Sequence, residues 1–222
     1  ARTFRDLREV LADVPDPALV LLGPPGSGKS TLLRHFELDN TRTVLVTSAA
    51  DPTRAPVTFF VALNGYGTQR DALLPHPHDW LRERWEAENP DLPPLDTLLR
   101  QRRVTLLLDA LNEMPQAGPE PLRCWKACLA DLTQRYPGNR VIFSCRSLDY
   151  SATLSSKDLP VPQVRIEALS DAQIQEFLAL YCPDHHAALW GNLVDSPQLE
   201  VLRSPYFLKL LVAQTSAGEI PE

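Results

Sequence analysis

Gly23-Pro24-Pro25-Gly26-Ser27-Gly28-Lys29-Ser30, followed by Thr31, is a full match to the spacing G-x-x-x-x-G-K-[ST]. Glycines at these intervals let the backbone curl so that successive N–H groups converge on one centre, a concavity that suits phosphate oxygens. In such a loop a lysine at position 29 reaches the β- and γ-phosphates, and a hydroxyl at position 30 binds Mg²⁺. The flanks agree with this chemistry. Ala18-Leu19-Val20-Leu21-Leu22 is a short apolar run before the loop, and Thr31-Leu32-Leu33-Arg34-His35-Phe36 reads as a helix after it. A strand–loop–helix order also sets the positive end of a helix against the anion.

A phosphate cradle alone only binds; hydrolysis also needs a carboxylate near the metal and a group that orients water. Val104-Thr105-Leu106-Leu107-Leu108-Asp109 is an apolar run ending in an acid, the Walker B form. As a buried strand it would deliver Asp109 to a C-terminal sheet edge, where ligands of α/β proteins sit, and there Asp109 would hold Mg²⁺. The position after it is Ala110, where many P-loop proteins carry a glutamate, and the next acid is Glu113. Glu113 is therefore the candidate general base that aligns water, with Asn112 as a polar helper. Arg140-Val141-Ile142-Phe143-Ser144-Cys145 forms the next strand pattern and ends in Arg146. A guanidinium at that edge could contact the γ-phosphate; the plain alternative is a pairing with Asp149.

These groups need a scaffold. Apolar runs of strand length recur at Leu19–Leu22, Val44–Val46, Val57–Leu63, Val104–Leu108, Val141–Ser144 and Val164–Ile166. Several are continuous rather than alternating, as in strands covered on both faces of a parallel sheet. Helical patterns lie between them at Thr31–Phe36, Trp80–Glu88, Leu95–Arg100 and Pro121–Tyr136, and an amphipathic helix precedes them over Thr3–Leu11. The segment Ala72 to Pro94 reads as a loop around one short helix beginning near Asp79. Alternation of this kind predicts a three-layer α/β fold with a mostly parallel central sheet, and the phosphate-loop motif makes the expected fold that of a P-loop NTPase. After Ile166 the pattern becomes all-helical. Ser170-Asp171-Ala172-Gln173 has the form of a capping box, and Ser196-Pro197 and Ser204-Pro205 each look like a helix start with proline in the first turn. The expected organisation is a nucleotide-binding domain over 1–168 and a small helical subdomain over 169–222.

Composition bounds the rest. The chain has 222 residues, 28 acids against 22 bases and a formal net charge of −6, which argues against a nucleic-acid-binding surface. No apolar stretch approaches the ~20 residues that span a bilayer. Cys124, Cys128, Cys145 and Cys182 do not form a spaced disulfide framework, and reduced cytoplasmic thiols are the simplest account. Cys182-Pro183-Asp184-His185-His186 lacks a second ligand pair and reads as a helix-end loop rather than a zinc site.

The phosphate loop from Gly23 to Thr31, the Leu106-to-Glu113 segment with a small residue after its aspartate, and Phe143-to-Arg146 together resemble a NACHT domain of the STAND group of P-loop NTPases. The likeness extends to Ser204-Pro205-Tyr206-Phe207-Leu208-Lys209-Leu210-Leu211, which is similar to that family's Asn-Pro-x-x-Leu-x-x-Leu segment. The resemblance implies an ATP/ADP switch: ADP holds the protein closed, and exchange for ATP permits homo-oligomerisation and signalling or defence. It implies that the strand ending in Arg146 lies between the two Walker strands and that Pro205 packs against adenine. It further implies a parent protein with a winged-helix module beyond Glu222, sensor repeats and an effector domain, of which this chain, beginning at Ala1 rather than Met, is an excised piece. Asn112 stands where the family often has an acid, so slow hydrolysis is expected. The other readings are a P-loop phosphotransferase acting on a small molecule, disfavoured because the helical tail carries only Arg203 and Lys209 where a lid would need arginines, and a non-hydrolysing scaffold that holds ADP.

Overall fold

The continuous apolar runs do become covered strands. In the computed structural model, which describes residues 2–47, 55–67, 74–114, 120–150 and 154–216, β1 (Ala18–Gly23) is buried along its whole length. It is followed by β2 (Val57–Ala62), β3 (Val104–Asp109), β4 (Arg140–Arg146) and the short β5 (Gln163–Arg165). They form one five-stranded sheet in the order β2-β3-β4-β1-β5, with parallel pairing of β2 to β3, β3 to β4 and β1 to β5. The strand that ends in Arg146 thus lies between the strand preceding the phosphate loop and the strand ending in Asp109. Parallel strands need crossovers, and the connections carry helices: α2 (Lys29–Thr47), α3 (Pro77–Glu88), α4 (Leu95–Arg100) and α5 (Glu120–Arg135), with α1 (Leu7–Asp13) ahead of β1.

Sequence dictates several of these boundaries directly. Asp6 caps α1 by accepting from the Glu9 N–H at 2.9 Å, so the helix begins at Leu7 rather than Thr3. Pro77 sits in the first turn of α3, two residues before the expected start. Asn139, buried in the Pro137-Gly138-Asn139 turn, accepts from Val104 N (3.0 Å) and donates to Leu99 O and Tyr136 O (both 2.8 Å). That one amide pins the start of β3 and so the position at which Asp109 emerges. Trp125 of α5 packs edge-on against Tyr66, Trp80 and Phe143, with ring centroids 5.5, 6.2 and 5.9 Å away, locking α3 and α5 to one face of the sheet.

The Val44–Val46 strand expectation is wrong. These residues continue α2, with Leu45 and Val46 72% and 80% exposed. A three-residue apolar run carries no periodicity, so strand and helix cannot be told apart from it. The β-branched Thr41 and Thr43 are accommodated because their hydroxyls donate to Glu37 O and Asp39 O one turn back, at 2.9 and 2.8 Å. Ala72 and Leu73, at the start of the loop expected to run to Pro94, lie outside the described residues.

Beyond the sheet come α6 (Asp171–Tyr181), α7 (His186–Leu193), α8 (Gln198–Leu202) and α9 (Pro205–Ser216). The Ser170–Gln173 capping box forms as read. Cys182 closes α6 through its backbone N–H to Leu178 O at 2.8 Å. Ile174, Leu178, Leu189, Leu193, Leu199, Leu202 and Leu208 make a separate buried cluster. The chain divides into two compact units: Ala1–Leu22 with Ser30–Arg165, and Gly23–Lys29 with Ile166–Glu222. The phosphate loop therefore groups with the helices. Among the described residues no helix is long and apolar enough to cross a membrane.

Candidate functional site

Consider first the loop and the helices it groups with. Gly26 and Gly28 have φ of +74° and +88°, a backbone region closed to most side chains. Gly26 is also crowded: a Cβ there would come within 2.9 Å of both Ser204 Oγ and Tyr206 Cβ. The Gly26 carbonyl accepts from Ser204 Oγ at 3.1 Å and from Tyr206 N at 3.3 Å. Pro205, between them, opens α9 and its ring lies about van der Waals distance, 4.0 Å, from where a Gly28 Cβ would stand. Arg203 secures the approach to this turn. It donates to Leu169 O (2.9 Å) and pairs with Asp171 (2.8 Å) and Glu200 (2.9 Å). The hydrogen bond it donates to Glu200, and then the one it donates to Asp171, raise the pKa of its guanidinium above its ordinary value.

Lys29 folds back into this loop. Its Nζ donates to Gly23 O and Pro24 O, both at 2.9 Å, and reaches Ser27 Oγ at 3.4 Å. A cation is thus held by carbonyl oxygens beside a glycine-curved backbone; the ammonium and the N–H groups of that loop are what suit phosphate oxygens. Ser30 and Thr31 follow in the first turn of α2, which carries no acidic residue of its own; the N-terminal end of a helix is its positive end.

The second group is built at the β3–β4 edge. Asp109, at the end of β3, is 6% exposed, and its Oδ1 accepts from Ser144 Oγ at 2.5 Å. The same hydroxyl accepts from Ala110 N at 2.8 Å. Ala110 is left-handed, φ 61° and ψ 54°, which costs a residue with a Cβ about 1–2 kcal/mol. That turn sends the chain into a 3-10 segment, Leu111–Glu113, closed by Glu113 N to Ala110 O at 2.8 Å. Arg146 holds the turn from β4: its backbone N–H donates to Asn112 Oδ1 (3.0 Å) and its guanidinium pairs with Glu113 (3.1 Å) and, at 4.0 Å, with Asp149. Glu113 and Arg146 side chains are each 44% exposed.

The site residues thus fall into two groups. Asp109, Glu113 and Arg146 are brought together with Asn112 and Ser144; Gly23, Pro24, Pro25, Gly26, Ser27, Gly28 and Lys29 are brought together with Ser204 and Pro205. Asn112, expected to help Glu113, instead caps the backbone of Arg146. The bond between Arg146 and Glu113 was not anticipated, since Asp149 alone is near Arg146 in sequence. Ser144 and Ser204 were also missed as functional positions. A signal existed for Ser144: a hydroxyl inside the apolar run Val141-Ile142-Phe143-Ser144-Cys145 must find a partner once buried.

A parallel sheet in this order, a glycine-built phosphate loop directly after β1 and an acid at the end of β3 define a nucleotide-binding module of the P-loop NTPase class. The NACHT domain pattern matches residues 18–185, and the chain belongs to the NACHT domain family. Among solved structures it is similar to the Walker-type ATPase of Pyrococcus abyssi, with 18% identity and a TM-score of 0.54 over 96% of this chain and 66% of that one. It is likewise similar to AMPPCP-bound DnaA from Aquifex aeolicus, with 12% identity and a TM-score of 0.53 over 95% of this chain and 61% of that one. The chain therefore spans less than two-thirds of either structure's own length. At these identities the likeness is one of fold. No curated protein matches the sequence.

Proposed function

We propose that this domain is an ATP/ADP-dependent conformational switch within a larger signalling or defence protein, hydrolysing ATP slowly and permitting homo-oligomerisation in the ATP state. The observation that carries this reading is the grouping of the phosphate loop with the helices, through the bonds from Ser204 and Tyr206 to Gly26. A ligand moves a conformational equilibrium only through contacts that differ between states, and a loop fastened to α9 carries a change in its own contacts directly into that helix.

The residues take these roles. Lys29 exchanges its carbonyl partners for the β- and γ-phosphates, the N–H groups of residues 26–31 cradle them while Pro24 and Pro25 shape the turn without donating, and Pro205 lies against the base. Ser30 and Asp109 supply a hydroxyl and a carboxylate, hard oxygen donors that suit Mg²⁺. When bound, Mg²⁺ would neutralise charge on the phosphate oxygens. Glu113 aligns the attacking water, and Arg146 leaves Glu113 for the terminal phosphate, so that ATP and ADP give different partners to the same guanidinium.

The test is binding and single-turnover hydrolysis of labelled ATP by wild type and Glu113→Gln. The variant should bind ATP within about twofold of wild type and turn over roughly a hundredfold more slowly, the scale of a lost general base. Equal turnover would remove Glu113 from the chemistry. The Arg146–Glu113 pair also favours a second reading, an ADP-holding scaffold in which the acid stays engaged; wild type without turnover, carrying copurified ADP by mass spectrometry, would select it.

A further inference from the structure

We infer that Ser144 is the positioning residue for the metal carboxylate, setting Asp109 directly and the turn bearing Glu113 through Ala110. This rests on the reading of Asp109 as the Mg²⁺ carboxylate. Ser144 stands one residue beyond Phe143, which pairs with Leu108 in the β3–β4 register, and it is 1% exposed. A hydroxyl has one proton and two lone pairs. Here the proton goes to Asp109 Oδ1 (2.5 Å) and a lone pair takes the Ala110 N–H (2.8 Å). Those two bonds determine the rotamer, so the serine cannot turn away without leaving a buried N–H or a buried carboxylate oxygen unpaired. Occupying Oδ1 restricts the rotation of the carboxylate and leaves Oδ2 as the oxygen that would hold Mg²⁺. Holding the Ala110 N–H keeps that residue in its left-handed conformation, and the Glu113 N–H follows by its bond to Ala110 O. One side chain of β4 therefore sets both acids of β3 and its turn.

Groups that orient a metal ligand from behind typically change metal affinity by about 10–100-fold when removed. The probe is a fluorescent ATP analogue titrated with and without Mg²⁺. In Ser144→Ala the metal-free affinity should stay within about twofold of wild type, while the gain in affinity on adding Mg²⁺ should fall roughly tenfold. Ser144→Thr, which keeps the hydroxyl, should recover it, and Asp109→Asn should lose it. A Ser144→Ala protein with the full Mg²⁺ gain, beside an Asp109→Asn protein without it, would overturn the role of Ser144 and leave Asp109 in place. A Ser144→Ala protein that loses metal-free affinity equally would overturn it in favour of a packing role, as would a threonine variant no better than alanine. An unchanged Mg²⁺ gain in Asp109→Asn would bring down the metal assignment itself, and this inference with it.

Discussion

Residues 23–29 and the β3–β4 edge both hold polar groups still for a ligand, and they do it with different parts of the chain. In the phosphate loop the backbone does the holding: two glycines at positive φ, a carbonyl that accepts from Ser204 and Tyr206, and a Lys29 tethered to main-chain oxygens. At the strand edge side chains do it: Ser144 on Asp109 and Ala110, Asn112 on the Arg146 backbone, and Arg146 on Glu113. Backbone positioning needs particular residue types at fixed spacing, because steric exclusion at φ > 0 admits little besides glycine. Side-chain positioning needs only that two groups from strands distant in sequence come to the same place. The first tolerates almost no substitution; the second should fail in degrees.

The sharpest break of the backbone-built region is Lys29→Ala. Removing the cation should weaken ATP-analogue binding by more than roughly a hundredfold, about 2.8 kcal/mol, read by fluorescence titration. Equal binding would show that the loop does not hold phosphate. Gly26→Ala is next. A residue with a Cβ at φ +74° costs about 1–3 kcal/mol, and the added carbon meets Ser204 Oγ and Tyr206 Cβ at 2.9 Å. Affinity should fall about tenfold, and faster amide exchange at Tyr206 should accompany it, since its N–H donates to Gly26 O. Loss of affinity with an unchanged Tyr206 amide would mean that the loop and α9 are not coupled.

That contrast also explains what could be read in the sequence. The phosphate loop, the Asp109 strand and the capping box at Ser170 were legible because each is a local rule: spacing of glycines, an apolar run ending in an acid, a serine three residues before a glutamine. The order of β3, β4 and β1 followed from family resemblance rather than from any residue pattern. Val44–Val46 misled because α2 runs past them with its apolar side chains exposed, so neither burial nor periodicity marked them as helix. Arg146 was assigned to a phosphate or to Asp149 because sequence shows only near neighbours; Glu113, 33 residues away, becomes its partner through sheet pairing alone. The link from Gly26 to Ser204 spans 178 residues; no residue pattern marked it, and only the family resemblance, through Pro205, set that segment near the nucleotide.

The gentlest test falls on the side-chain-built region, at Arg146→Gln. The pair with Glu113 is 44% exposed on each side, and ion pairs so open to water contribute about 0–1 kcal/mol. The Arg146 backbone N–H keeps its bond to Asn112 in the variant, since that bond does not involve the replaced group. Stability should therefore fall by less than about 1 kcal/mol, within a few degrees of the wild-type midpoint by calorimetry. The functional reading of the same guanidinium makes a separate demand: if it exchanges Glu113 for the terminal phosphate, the ratio of ATP to ADP affinity should move toward one in the variant. A fall of more than about 2 kcal/mol in stability with an unchanged ratio would make Arg146 a structural tie and invert the contrast, because the exposed edge would then be the part that tolerates no change.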